Sequence, residues 1–185
     1  MPTHPAKQPL MGIQIVETHE NGFLLMVGPR EKGKMFVSTP AIRKVIETYQ
    51  LTHAQLGYID LQVNTAHKSI HTHEYYPLQY GVGHLFFRKG VATLAELQIE
   101  KLMLKRFPGY SIVSGTKSLA ERHHQIVKRG RVPGEPMPLE QAIALTRAKA
   151  IANYRKQKNK EAHSMRGRIL RVKRWLKSTL SRNRK

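Results

Sequence analysis

The sequence predicts a mixed α/β (α+β) domain, a central mixed sheet with flanking helices, followed by a basic helical C-terminal extension. Three observations carry that prediction. Asn21-Gly22 lies between two β-like apolar runs, in "GIQIVETHENGFLLMVG", the strongest short-range hairpin signal. Apolar residues alternate at Ile59, Leu61 and Val63, yet recur at helical spacing at Ile42, Val45, Ile46 and Tyr49. Charge is concentrated at one end: residues 155–185 hold thirteen Lys/Arg and one acid, Glu161, and so carry +12 of the net +20.

The elements follow in order. Residues 1–10 contain three prolines and read as a flexible N-terminal arm. After the hairpin, Thr39 is an N-cap with Pro40 at the first helical position, so a helix is expected over 40–50. "GYIDLQVNTA" (57–66) has the alternation of a half-buried strand. The His-rich "HKSIHTHEYY" reads as a connection to a further strand, "LQYGVGHLFFR". Glycines 81 and 83 in that run signal a bulge or a close approach of backbone.

Thr93 and Glu96 fit a capping box at the start of an apolar helix, which Pro108-Gly109 ends. "YSIVSGT" is a short strand. "SLAERHHQIVKRG" is a helix with Gly130 as its C-terminal stop. The domain thus spans 11–131, and residues 132–154 read as a turn-rich linker, "RVPGEPMP", and an Ala-rich helix. In the tail, 155–185, Met165, Ile169, Val172, Leu176 and Leu180 recur at spacings of a basic amphipathic helix.

Composition narrows the function classes. There is no cysteine, which excludes disulfides, thiolate metal sites and cysteine nucleophiles. No apolar run approaches the roughly 18–20 residues of a transmembrane helix. The N-terminus lacks an apolar secretory segment, so a cytoplasmic location is expected. A folded chain at +20 repels itself unless an anionic partner neutralises it; nucleic acid comes first and an anionic membrane surface second.

The stretch "FFRKGVATLAEL", read as a strand, an Arg-Lys-Gly loop and a helix, resembles the GNAT family of N-acetyltransferases over roughly residues 57–131. The resemblance implies that the loop and helix N-terminus, Arg88, Lys89, Gly90, Val91 and Ala92, hold the pyrophosphate of acetyl-CoA. Free N–H groups and the helix dipole favour an anion there. Gly90 and Ala92 fit the last two fixed positions of the family's loop pattern, while Phe87 stands at the first. Ile126 occupies the slot of the tyrosine that serves many members as general acid. Candidates for proton transfer are therefore His123 and His124, or as a general base Glu74 or Asp60, and spacing selects none of them. The same loop reads equally as an ordinary structural turn.

His67, His71 and His73 form H-x3-H-x-H without a fourth ligand at a recognised spacing, so no metal site is assigned. Tyr75, Tyr76, Tyr80, Phe86 and Phe87 lie beside Arg88 and Lys89, a combination that stacks unpaired bases when exposed. The nucleic-acid contacts expected are Arg155, Lys156, Lys158, Lys160, Arg166, Arg168, Arg171, Lys173, Arg174, Lys177, Arg182, Arg184 and Lys185, extended onto the domain by Arg129. RNA is favoured over DNA because no pattern for reading duplex DNA is present, and basic extensions suit ribosome-associated proteins. Trp175 on the tail is also suited to an anionic membrane interface.

Overall fold

The computed structural model describes residues 9–115 and 130–182. The arm before residue 9, the expected helix around His123, His124 and Arg129, and Arg184 and Lys185 lie outside the described residues. The chain divides into two compact units, residues 1–149 and 150–185.

The first unit is an α+β domain around a seven-stranded mixed sheet. Its strands are β1 (Met11–His19), β2 (Gly22–Pro29), β3 (Met35–Val37), β4 (Ala54–Asn64), β5 (Ser69–Tyr76), β6 (Ser111–Val113) and β7 (Pro136–Pro138). Their order is β3-β1-β2-β4-β5-β6-β7. All pairings are antiparallel except β5 with β6, which run parallel from Ser69↔Ser111 to His71↔Val113. The expected hairpin is present, with Asn21 left-handed (φ 62) in its turn. Helix α1 (Pro40–Thr48) begins where the sequence places it: Thr39 Oγ1 accepts from Ile42 N at 3.2 Å. Thr39→Ala lowers stability by about 1 kcal/mol, read from the urea midpoint. An unmoved midpoint would show that the cap contributes nothing.

Three expectations are corrected. The His-rich run is itself a strand, β5, bonded to β4 on one side and β6 on the other. Residues Gly81–Phe86, expected as that strand, form a 3₁₀ segment against the start of β4. Gly83 explains why: a Cβ there would stand 2.9 Å from Leu56 O, so close backbone approach, not strand pairing, is what the glycine permits. The helix then starts earlier than a Thr93 cap allows. Helix α2 (Val91–Arg106) is capped by Gly90 in the left-handed region (φ 85), and Thr93 is buried in its first turn. Pro108-Gly109 ends it as expected, with Gly109 at φ 77.

Residues 132–149, the turn-rich segment included, lie in the first compact unit. β7 lies within that segment, its prolines tolerated because it is the edge strand. The last helix, α3 (Leu139–Arg182), sets Leu139, Ala142 and Ile143 in the core. They join a cluster that includes Ile13, Phe23, Leu25, Ile42, Leu56, Ile70, Phe86 and Met103. Burial runs round α2 instead of along one stripe, the mark of a core helix.

Candidate nucleic-acid interface

From residue 150 onward, the second unit is the C-terminal part of α3. Helix-forming Ala, Arg, Lys and Gln fill "ANYRKQKNKEAH", with no proline to break it. The side chains of Arg155, Lys156, Lys158 and Lys160 are exposed, and among the described residues no ion pair engages them. Met165 (64% exposed) and Ile169 (55%) leave the start of the apolar stripe open as well. Side chains of Arg166, Arg168, Arg171, Lys173, Arg174, Lys177 and Arg182 lie outside what is described. A helix with these charges and a single acid, Glu161, to offset them is stabilised by an anion along its length.

The residues expected to hold a pyrophosphate meet at the start of α2. The chain arrives there from the 3₁₀ segment, not from a strand, and passes through two left-handed residues, Arg88 (φ 60) and Gly90 (φ 85). The first turn contains no acid, and its leading N–H groups have no acceptor within the helix. Lys89 and Ala92 are half-buried, whereas the Val91 side chain is buried in the core. The Arg88 guanidinium lies 5.5 Å over the Phe87 ring, which is 61% exposed. Phe86 is fully buried, so of this aromatic pair only Phe87 is presented to solvent.

The tyrosines separate in the same way. Tyr75 is half-buried, while Tyr76 and Tyr80 are exposed and flank Tyr58, with ring centroids 5.5 and 6.5 Å away. The Tyr58 hydroxyl donates to Glu74, and this carboxylate is the main cause that pushes its pKa up to about 12. Glu74, a candidate for proton transfer, therefore has a phenol as its neighbour. Asp60 instead meets His19 at 3.2 Å. His71 Nε2 is 2.9 Å from Ser69 Oγ, and no group of three or more His, Asp or Glu among the described residues is arranged to hold a metal.

Sequence reasoning missed a buried ionic cluster. Arg131, expected only as the residue after a helix stop, is 3% exposed. Its Nη2 donates to Glu100 Oε1 and to Thr146 Oγ1 (2.7 Å), and its Nη1 reaches Glu96 Oε1 at 3.3 Å. Burial, then the charge of Glu96, pushes the Glu100 carboxyl up to about 7; Arg131 and Thr146 oppose that rise. Glu96 and Glu100 stand four residues apart on one helix face, a repulsive pair until a cation from elsewhere joins them. That spacing was the available signal. Beside the cluster, a cleft of about 530 Å³, its open mouth included, lies between α2 and the ends of β5 and β6.

Among the described residues no helix is long and apolar enough to cross a membrane. Compared with known proteins, the chain matches no family model, no curated protein and no solved structure.

Proposed function

We propose that this chain binds RNA, as a ribosome- or ribonucleoprotein-associated protein whose compact domain carries a basic helical arm. One observation carries the reading. In a segment with thirteen cations and one acid, Arg155, Lys156, Lys158 and Lys160 stand exposed without an ion pair among the described residues. Phosphates are the anions that match such a run, and the exposed Tyr76, Tyr80 and Phe87 rings offer stacking faces of the kind unpaired bases use. Deleting residues 155–185 weakens binding to single-stranded RNA at least tenfold at moderate salt. Unchanged binding would remove the arm as the main contact.

A second reading, acetyl-CoA-dependent N-acetyl transfer on a GNAT-like scaffold, is favoured by the crossover β5–α2–β6. It joins the parallel pair β5 and β6 through a helix whose N-terminus is free of acids. Residues 88–92 fit an anion there, and the coenzyme would supply the acetyl group. On this reading millimolar acetyl-CoA raises the melting temperature, as any native-state ligand does, and Gly90→Glu abolishes the rise. No rise at that concentration leaves the junction a structural turn.

A further inference from the structure

The turn between β2 and β3 reads "REKGK" (30–34), and α1 follows with Arg43 and Lys44. These segments meet in an open groove of about 1050 Å³, solvent at its mouth included, on the first unit. Arg30, Lys34 and Arg43 line it, Met35 and Phe36 are half-buried within it, and no carboxylate lines it among the described residues. The adjacent acid, Glu31, is already engaged. It binds Lys34 Nζ at 2.5 Å and accepts from Gln14 Nε2 at 2.7 Å, and those contacts hold its carboxyl below the usual range. Lys34 is thereby offset, while among the described residues no ion pair engages Arg30 or Arg43.

Arg43 is also pre-organised. Its Nη1 donates to Ser38 Oγ at 3.3 Å, and Ser38 in turn donates to Met11 O at 3.2 Å, which ties the guanidinium to the edge of β1. The fork's other donors remain for a ligand, and a planar fork fixed in advance suits a phosphate oxygen pair. α1 has no acid in its first turn to repel an anion nearby. A lining that joins two cations with apolar side chains fits a strand whose phosphates alternate with less polar sugar and base.

We infer that this groove is a second RNA-contact surface, on the compact domain and separate from the basic arm, in which Arg30 and Arg43 bind backbone phosphates alongside Met35 and Phe36. The inference rests on the RNA reading above and adds a site to it.

The test is fluorescence anisotropy with labelled single-stranded RNA, on the full chain, over salt from about 50 to 200 mM. Arg30→Gln/Arg43→Gln is compared with Lys68→Gln/Arg147→Gln, which removes the same charge from exposed positions outside the groove. The groove variant is expected to bind about tenfold more weakly than the parent at the upper salt. Its salt slope falls by about 1.4, two phosphates at about 0.7 each for a single strand. The control pair shows a smaller loss. If the parent binds and the groove variant keeps its affinity and slope, or the control loses as much, the groove is overturned while the RNA reading stands. A parent that binds no RNA at low salt, or binds only phosphatidylserine vesicles, overturns both.

Discussion

Replacing Arg131 with methionine lowers the stability of the domain by about 3–5 kcal/mol at pH 8, the cost of removing one partner from a buried ion pair. The reason is geometric. Arg131 is the cation between Glu96 and Glu100, and it also donates to Thr146 on α3, so one side chain joins α2, the strand-bearing segment 131–138 and α3. Without it two carboxylates share a buried site, and a buried charge must be hydrated or neutralised.

That choice gives the prediction its pH signature. Glu100 has a folded pKa raised from 4.5 to about 7. A carboxyl shifted upward binds its proton more tightly in the folded state. Its favourable contribution is fully present below about pH 4.5 and is lost as pH rises through about 7. In the Arg131→Met chain the opposing cation is gone, so Glu100 holds its proton to higher pH still. The destabilisation is therefore largest at pH 8 and shrinks toward pH 5. Urea unfolding of both chains at the two pH values reads it directly. An equal loss at both would mean that lost packing, not charge, sets the cost.

The second large effect concerns the arm. If about eight of its cations contact phosphates of a single strand, the slope of log affinity against log salt is near −5.6, about −0.7 per contact. Raising salt from about 50 to 200 mM then costs about three orders of magnitude in affinity. Deleting residues 155–185 removes that slope along with the affinity, whereas the compact unit, which ends at Lys149, keeps its core. Far-ultraviolet circular dichroism and a melt of the shortened chain separate loss of contacts from loss of fold.

Local signals in the sequence were legible and distant ones were not. Thr39-Pro40 marks a helix start through groups three residues apart, and Asn21 turns a hairpin whose strands are its own neighbours. The alternation at Ile59 and Leu61 is a property of β4 alone. β5 was hidden because His67, His71, His73 and Glu74 look like a solvated connection; what makes a strand of residues 69–76 is pairing on both sides, including with β6 some forty residues on. The apolar run at 81–87 looked like a strand for the converse reason, and Gly83 was the clue that backbone contact governs it. Arg131 could not be paired from sequence, since its carboxylates lie 31 and 35 residues away across the domain. The cations of the arm were legible because charge needs no partner in the chain to be counted. The groove was not, because it forms only when the 30–34 turn and α1 meet.

The most direct test of the central claim is the salt dependence of single-stranded RNA binding by the full chain and by residues 1–154, measured side by side. RNA binding that steepens with the arm present, with a slope several units greater than that of the shortened chain, is the predicted result. Equal affinities and equal slopes for the two chains would contradict it.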